Sequence, residues 1–366
     1  MKVVHLTSVH DRDDTRIRKQ CLDLEASGHS VTLIVADGRG DGNHDDVAII
    51  DIGRATSRPK RMLVSAAKVW RCAVRLKADV YHFHDPELLP FAIWLAHGGA
   101  FVVYDAHEDL PKQLLTKPYL SRPIAKIVAR VASRVERCAV RHFSAVVSAT
   151  DSIARRFDDF AGLKVVINNF PIIDELAPLS NETERDSVVF VGKLSEIRGI
   201  REAIQAMSLV RSDVHLKLVG SFADPEFAES CRRLDGYERV VETGVLDRSE
   251  VRRVLESSIA GLVTFHPSAN HVSAQPNKLF EYMSAGVPVI ASDFPLWRRL
   301  VGDAGIAVDP QDPAEIAAAI DRVAADPHLA ATMGRAGMEA TTHRFNWTLE
   351  SKKLVALYES LAKIQG

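Results

Sequence analysis

Short runs of apolar, largely β-branched residues recur along the chain, and segments with helical spacing separate them. Such runs are typical of strands buried on both faces of a parallel sheet. The first series comprises KVVHLTS, SVTLIVA, DVYHFH, FVVYDAHE, AVVSAT and KVVINN. The second comprises SVVFVGKL, VHLKLVG, RVVETG, IAGLVTF, VPVIAS and GIAVDP. This alternation predicts two doubly wound α/β domains, one for each series.

A polar stretch with two prolines, NNFPIIDELAPLSNETERD, separates the two series and predicts a linker. We therefore expect one domain over residues 1–170 and a second over residues 171–345. Ligands of such sheets bind beyond the carboxyl ends of the strands. We expect those ends of the two domains to face each other across a central cleft.

Charge and composition limit the classes of protein to which this sequence can belong. The net charge of −2 divides into +5 over residues 1–170 and −7 over residues 171–366, so we expect the first domain to meet something anionic. The sequence has no recognisable nucleic-acid-binding module. It also has no apolar run long enough to span a membrane, and MKVVHLTSVH is a strand pattern without the features of a signal peptide. Four widely spaced cysteines fit a reduced cytoplasmic protein.

The stretch SAQPNKLFEYMSAGVPVIASDFP predicts an anion-binding helix start. Pro276 or Asn277 fits the helix entry, with Asn277 as the cap and Pro276 preset for the turn, and the N–H groups near Lys278 and Leu279 then have no intrahelical partner. Glu281, one turn inside, could accept hydrogen bonds from a diol such as a ribose. The alternative is a capped surface helix with a solvated carboxylate.

The stretch VFVGKLSEIRGI carries a second candidate for anion binding. A strand ends at Gly192, and Lys193 and Arg198 flank the turn that follows. Two cations at this spacing could clamp a diphosphate. The alternative is an ordinary strand–loop–helix connection with exposed bases.

Six stretches, in the expected order, resemble the bacterial surface-polysaccharide branch of glycosyltransferase family 4, whose members are retaining nucleotide-sugar enzymes with the GT-B fold. They are TSVHDRDDTRIRKQCLDLEASGHSVTLI, YHFHDPELLP, VVYDAHEDLP, VGKLSEIRGI, PNKLFEYMSAGVPVIASDFPLW and FNWTLESKKLVALY. The resemblance implies two Rossmann-like domains. It also implies that residues 346–366 form a helix that crosses back to the first domain, with Phe345 and Trp347 as packing anchors.

The resemblance also implies roles for the donor-binding residues. The family's Arg and Lys on the donor diphosphate fall, with the two residue types exchanged, on Lys193 and Arg198. The helix-start amides of residues 277–279 would meet the phosphates, and Glu281, the last Glu of the Glu-x7-Glu motif, would hold the ribose. The first Glu of that motif is replaced here by Ser273. This removes a negative charge beside the transferred sugar and suggests an acidic donor such as a uronic acid, or a sugar lacking a usual hydroxyl. The alternative is that other groups hold the donor.

In the first domain, His84, Asp85, His107 and Glu108 follow predicted strand ends. The family places a histidine at the reacting sugar near the second of these strands, so His107 is the predicted catalytic residue together with Glu281. His84, Asp85 and Glu108 are predicted acceptor-side contacts, with loop capping as the alternative for the first two.

The segment HDRDDTR stands where many family members have a pair of glycines. Arg12, Asp13 and Arg16 could therefore touch the acceptor or a phosphate. Helix capping by Asp13 or Asp14 is the favoured alternative for those two aspartates.

The sequence contains no metal-ligand constellation, and we expect no cofactor and no required metal. The donor-site cations and the helix start would supply the charge that a divalent ion supplies elsewhere. For a retaining reaction, the resemblance implies front-face transfer, in which a donor phosphate oxygen takes the acceptor's proton.

Two basic stretches occur in the first domain. RPIAKIVARVASRVERCAVRHF carries one acid, Glu136, and places bases on one helical face and Ile and Val on another. Residues 54–77 contain eight bases and no acid. Both could rest on anionic lipid, and a solvated face is the alternative.

The predicted function is transfer of a sugar from a nucleotide donor, expected to be UDP-linked, to a saccharide or lipid-linked saccharide acceptor in surface polysaccharide or glycolipid synthesis. The enzyme would be cytoplasmic and peripheral on the inner face of the membrane. Two alternatives remain: a degenerate homologue that binds a nucleotide sugar without transfer, and a sugar-nucleotide epimerase.

Overall fold

A computed structural model describes residues 1–57, 60–115, 121–178 and 185–365. Arg58 of the second basic stretch and residues 179–184 of the predicted linker lie outside this range. The chain forms two compact units: Met1–Asn169 together with the residues from Thr348 onward, and Phe170–Trp347. Each unit has its own hydrophobic core. Among the described residues, no helix combines the length and the apolar character needed to cross a bilayer.

The first unit is built on an eight-stranded sheet in the order β3-β4-β2-β1-β5-β6-β7-β8. Its strands are β1 (Lys2–Leu6), β2 (Ser30–Val35), β3 (Gly42–His44), β4 (Val47–Asp51), β5 (Val80–Phe83), β6 (Phe101–Ala106), β7 (Ala145–Ser148) and β8 (Leu163–Val166). Only β3 is antiparallel to its neighbour. The predicted parallel strands are confirmed, whereas β3 and β4 were not predicted.

The helices of the first unit alternate with its strands. They are α1 (Thr15–Ala26), α2 (Ala66–Leu76) after a π-helical turn at Arg61–Ser65, α3 (Leu89–His97), α4 (Leu110–Leu115), α5 (Arg122–Val140) and α6 (Asp151–Ala154). The carboxylate of Asp14 caps α1 by accepting from the N–H groups of Arg16 and Ile17, which confirms the capping alternative for this aspartate.

The second unit contains a six-stranded, all-parallel sheet in the order β11-β10-β9-β12-β13-β14. Its strands are β9 (Ser187–Val191), β10 (His215–Val219), β11 (Val240–Gly244), β12 (Ser258–Val263), β13 (Val289–Ser292) and β14 (Gly305–Val308). Its helices are α7 (Ile173–Leu176), α8 (Ile200–Leu209), α9 (Pro225–Arg232), α10 (Arg248–Glu256), α11 (Asn277–Ser284), α12 (Pro295–Val301), α13 (Pro313–Ala325) and α14 (Pro327–His343). The doubly wound α/β prediction is confirmed for both units.

The last helix, α15 (Trp347–Gln365), packs on the first unit. Glu350 accepts a hydrogen bond from the Asn168 N–H at 2.8 Å, and the Tyr358 hydroxyl lies 2.9 Å from His82 Nδ1. Phe345, just before α15, packs instead against Phe170 in the core of the second unit.

The strand order places a switch point in each sheet. β1 lies between β2 and β5, and β9 lies between β10 and β12, so in each sheet the connections run outward in both directions from a central strand. The crevice beyond the carboxyl ends of such strands is where ligands of open α/β sheets bind. The segments that follow β1, β5, β9 and β12 are therefore the places to look for functional side chains.

Candidate active site

In the second unit, two cations converge on the backbone where β9 ends. Gly192 has a φ of 136°, and a Cβ placed on it would lie 3.1 Å from Arg198 Nη1 and 3.9 Å from Lys278 Cε. A side chain at this position would therefore fill the space between the two cations. Arg198 donates to the Lys193 carbonyl at 3.4 Å, while the Lys193 side chain is exposed.

Arg198 is half-buried and its guanidinium lies over the Phe265 ring, 5.4 Å from the centroid. Burial lowers the pKa of Arg198, but an arginine remains charged at neutral pH. Among the described residues, no carboxylate lies within ion-pair distance of it. A half-buried cation without a carboxylate partner is a suitable group for binding an anion.

Helix α11 begins at Asn277, with Pro276 at the N-cap and no side-chain cap. The predicted helix start is confirmed, but Asn277 is the first helical residue and not the cap. The N–H groups of the first turn therefore have no side-chain acceptor from the cap residue. They carry the positive end of the helix dipole.

Glu281 lies one turn inside α11, and only 8% of it is exposed. Its carboxylate accepts from Lys278 Nζ at 2.6 Å and from Arg248 Nη1 at 2.7 Å. Burial by itself would raise the pKa of Glu281, but the charges of Lys278 and Arg248 outweigh it and lower the pKa to about 2. The solvated-carboxylate alternative is therefore wrong for Glu281. Arg248 also pairs with Glu175 at 3.0 Å.

Ser273 lies in a short 3-10 turn, His271–Ser273, before α11, and its hydroxyl donates to the Ala269 carbonyl at 3.3 Å. The indole N–H of Trp297 donates to the Ala274 carbonyl at 2.8 Å and ties this segment to α12. The serine thus lies on an anchored segment directly before α11.

In the first unit, His107 lies just past β6, and its side chain is 12% exposed. Its Nε2 is 3.1 Å from Asp105 Oδ2 and 3.0 Å from His84 Nδ1. Asp105 is fully buried and is held by Arg16 through two hydrogen bonds of 2.9 and 2.7 Å. Burial by itself would raise the pKa of Asp105, but Arg16 and His107 hold it well below its usual value. The carboxylate is therefore ionised.

A second histidine, His10, lies beside His107 with ring centroids 5.1 Å apart. Its Nδ1 is 3.1 Å from Asp14 and its Nε2 is 3.4 Å from Asp85. Burial by itself would lower the pKa of His10, but the hydrogen bond to Asp14 and the charges of Asp85, Asp14 and Glu108 raise it to about 9. The imidazole is therefore cationic at neutral pH.

The predicted acceptor-side residues differ in how accessible they are. Asp85 is buried and accepts from the Thr7 and Ser8 hydroxyls and from the N–H groups of residues 8 and 9, which are the contacts of a loop cap. His84 is also buried. Arg12 is held by Asp37 and by the Gly40 carbonyl.

Two further residues that the sequence analysis placed at the acceptor or a phosphate are Arg16 and Glu108. Arg16 is buried against Asp105 and the Ile167 carbonyl, so the expectation that it touches a ligand is wrong. Glu108 is exposed and accepts a hydrogen bond from Gln113.

One group of side chains in the described part of the chain has the composition of a metal site. Ligand atoms of His82, His84 and Asp105 lie within 4.8 Å of one another, all buried. Both oxygens of Asp105 already accept hydrogen bonds from Arg16, whose positive charge opposes a cation at that carboxylate. We therefore interpret this group as a hydrogen-bonded network.

Two family models match the chain. Residues 14–167 match a glycosyl transferase 4-like domain, and residues 185–326 match the glycosyl transferases group 1 domain. The chain belongs to glycosyltransferase family 4. Because both models match in the order that the sequence predicts, the resemblance to glycosyltransferase family 4 is confirmed.

Curated relatives of this family 4 protein include several mycobacterial glycosyltransferases. The Mycobacterium tuberculosis alpha-maltose-1-phosphate synthase is 29% identical over 199 residues, which cover 51% of each chain. The Mycolicibacterium smegmatis phosphatidyl-myo-inositol mannosyltransferase is 26% identical over 78% of this chain and 72% of the relative. The match thus spans about half the length of the first relative.

Solved structures confirm the GT-B fold class. The sucrose-phosphate synthase of Thermosynechococcus elongatus superposes with a TM-score of 0.80 at 19% identity over all of both chains. Anabaena HepE in complex with UDP superposes with a TM-score of 0.73 at 17% identity, covering 98% of this chain and 100% of HepE. At these identities the likeness concerns the fold alone.

Sequence analysis missed several residues that lie in the candidate sites of the two units of this family 4 protein, each taken by itself. Arg248 contacts Glu281 across 33 residues of sequence, and Asp105 meets Arg16 across 89. His10 was not singled out within HDRDDTR. One available signal was Asp105 itself, a carboxylate inside an otherwise apolar strand, because a buried acid requires a partner.

Proposed function

We propose that this protein is a retaining glycosyltransferase that moves a sugar from a UDP-linked donor to a saccharide or lipid-linked saccharide acceptor in surface polysaccharide or glycolipid synthesis. The observation that carries the proposal is the convergence of Arg198 and Lys278 on Gly192, with Glu281 one turn into the adjacent helix. A nucleoside diphosphate has two features that match this arrangement: a charged diphosphate and a ribose diol.

The proposed donor site needs no metal ion. Arg198 has no carboxylate partner among the described residues, and Lys278 lies within reach of both Gly192 and Glu281. Together with the N–H groups that begin α11, these cations would stabilise the leaving diphosphate, which is the usual task of a divalent ion. His107 would contact the reacting sugar, as the family resemblance implies.

The test is a panel of nucleotide sugars screened by thermal shift, with and without EDTA, alongside release of free nucleotide. A ligand that binds only the native state raises the melting temperature. We expect one donor to stabilise the protein regardless of EDTA and to be turned over. Arg198→Gln should abolish the shift. Arg201→Gln, in the next helix, is the matched control because Arg201 faces Ser230 and Phe227 and not Gly192. No shift with any nucleotide at millimolar concentration would contradict the proposal.

A substitution at Ser273 distinguishes an enzyme that transfers the sugar from a protein that only binds it. If the protein binds a nucleotide sugar without transfer, Ser273→Glu should restore activity. If Ser273 belongs to a working site, the same change should reduce turnover. The same screen tests the acidic-donor hypothesis, which a neutral hexose turned over far better than any uronic acid would contradict.

Helix α5 supports a membrane-facing role in this function. Its buried face consists largely of small residues, Ala125, Ala129 and Ala139, so its larger apolar side chains are left exposed. The exposed apolar residues are Ile124, Ile127, Val128, Val131 and Val135. The bases among them are Arg122, Lys126, Arg130, Arg134 and Arg137. Exposed apolar side chains among cations are typical of helices that lie on anionic lipid.

The one acid of α5 does not weaken this positive surface. Glu136 is fully buried, pairs with Arg156 and accepts from the Tyr104 hydroxyl at 2.8 Å. We expect the protein to sediment with vesicles containing anionic lipid and not with neutral vesicles. Ile127→Asp should abolish sedimentation, whereas Leu209→Asp, at an equally exposed apolar position of α8, should not. Equal binding by both variants would contradict the role of α5.

A further inference from the structure

A cluster of histidines fills the switch point of the first sheet. The rings of His5, His82 and His84 stack on one another with centroids 4.5 to 5.1 Å apart, and all three are buried. His107 extends the cluster toward the surface. Burial, the largest cause, lowers the pKa of each of the three inner rings, so they are neutral at physiological pH.

The position of the Asp105 carboxylate determines which nitrogen of His107 carries the proton. A carboxylate only accepts hydrogen bonds, and Arg16 keeps this one ionised. His107 Nε2, at 3.1 Å from Asp105 Oδ2, must therefore be protonated, because a bare nitrogen there would set two lone pairs against each other. In the neutral ring the proton is then on Nε2, and Nδ1 carries the free lone pair.

The proton on His107 Nε2 also determines where His84 and His5 carry their protons. His84 Nδ1, at 3.0 Å from the protonated Nε2 of His107, must be the acceptor. His84 Nε2 then carries a proton and donates to His5 Nδ1 at 2.9 Å. His5 Nε2 is left as a buried N–H, and it has no hydrogen-bond partner in the described structure. This arrangement of protons satisfies the two shortest contacts between the rings, His107 with His84 and His84 with His5. It leaves His5 Nε2, like His82 Nε2, without a hydrogen-bond partner among the described residues, and it places the bare His84 Nδ1 at a longer distance of 3.5 Å from Asp105 Oδ2.

We propose that Asp105 and His84 are positioning residues that hold His107 in the Nε2–H tautomer, so that Nδ1 is the atom presented to the substrate. This inference rests on the proposed function only for the identity of the ligand. Nδ1 has no recorded hydrogen-bond partner among the described residues. It would accept a hydrogen bond from a hydroxyl of the donor sugar, and it would become a donor only on protonation.

The tautomer can be measured on the full-length protein without ligand. Uniform ¹⁵N labelling of histidine distinguishes protonated from bare ring nitrogens, and His107→Gln assigns the signals of this residue among the 14 histidines. We expect His107 in the wild type to show a protonated Nε2 and a bare Nδ1. A protonated Nδ1, or a mixture of the two tautomers, would overturn the proposal.

Removal of the Asp105 carboxylate tests whether it determines the tautomer of His107. Asp105→Asn alone would leave Arg16 buried and unpaired, so the variant to use is Asp105→Asn with Arg16→Gln. We expect its His107 to lose the single tautomer and kcat for the donor to fall ~10- to 100-fold, with KM much less affected. An unchanged tautomer in the folded variant would overturn the role of Asp105. If the variant does not fold, the tautomer of His107 in the wild type is the measurement that tests the proposal.

The two proposals fail in different ways. If no nucleotide sugar binds, the proposed function is wrong, while the tautomer is still measurable. If a donor is turned over normally and His107 carries its proton on Nδ1, the positioning role alone is wrong.

Discussion

Arg248→Met tests whether a salt bridge that the sequence did not suggest holds the carboxylate of Glu281. The substitution removes the guanidinium that donates to Glu281 at 2.7 Å and keeps most of the aliphatic stem. Among the described residues, Lys278 is the other cation that pairs with Glu281. After the substitution, one cation would have to compensate a carboxylate that is almost fully buried.

The loss of folding stability expected for Arg248→Met follows from the pKa of Glu281. Burial by itself raises this pKa, but Lys278 and Arg248 lower it from 4.5 to about 2. A carboxylate whose pKa is lower in the folded protein than in the unfolded chain stabilises the fold at every pH above its unfolded pKa of 4.5. This stability is lost as the pH falls through the folded pKa of about 2. The difference corresponds to about 3 kcal/mol at neutral pH. Because Arg248 shares this effect with Lys278 and is partly screened by solvent, we expect its loss to cost about 1–2 kcal/mol.

The assay is a double-mutant cycle in urea at neutral pH with Arg248→Met, Glu281→Gln and the combination. We expect a coupling energy of about 1–2 kcal/mol between the two positions. Arg252→Met is the matched control, because Arg252 lies on the same helix and pairs weakly with Glu256 at 3.9 Å. A coupling below about 0.3 kcal/mol, within the additivity of independent sites, would refute the reasoning.

Three further predictions concern other parts of the molecule. Gly199→Ala should destabilise the protein by more than the ~1 kcal/mol of an unfavourable φ, because the new Cβ would lie 2.0 Å from the Thr264 carbonyl. Gly244→Ala, at a similar φ but with open space around it, is the control in thermal unfolding. His10 contributes stability below its unfolded pKa of 6.5, and this stability is lost as the pH rises through about 9, because the hydrogen bond to Asp14 and nearby charges outweigh burial. Between about pH 6 and pH 9.5, the wild type should therefore lose about 1–3 kcal/mol more stability than His10→Gln, as measured by urea unfolding. The thermal shift caused by the donor should survive EDTA, and its loss on chelation would show that a metal takes part.

Several of the strands that sequence analysis predicted share one property. Runs such as VVHL in β1 and SVVFV in β9 are buried on both faces, and all of their residues except His5 and Ser187 are apolar. Strand β4, VAIID, was missed because its residues differ in exposure, and β3 has only three residues, GNH. Local patterns therefore located the inner strands and the edge strands β8, β11 and β14, but not the two strands at the β3 edge of the first sheet.

The donor-site residues were predictable because their spacing is local. Gly192 and Arg198 flank a single turn, and Lys278 and Glu281 lie one helical turn apart. Arg248 was not predictable in this way, because only the order of the strands brings α10 beside α11. Helix α5 shows a different limit: its periodicity predicts two faces, but only the structure shows that small alanines face inward and the larger apolar residues face out.

The pairing of Lys278 with Glu281 has a physical reason that links both halves of the proposed donor site. The side chains of Arg198 and Lys278 both lie close to Gly192, so their mutual repulsion has to be balanced. Glu281 supplies the balancing charge, and in return Lys278 and Arg248 compensate the cost of burying its carboxylate. When a nucleoside diphosphate binds, its phosphates can take over part of the interaction with Lys278, and the freed carboxylate oxygen can accept from the ribose. Binding of the phosphates and of the ribose should therefore be coupled, because each depends on the same lysine.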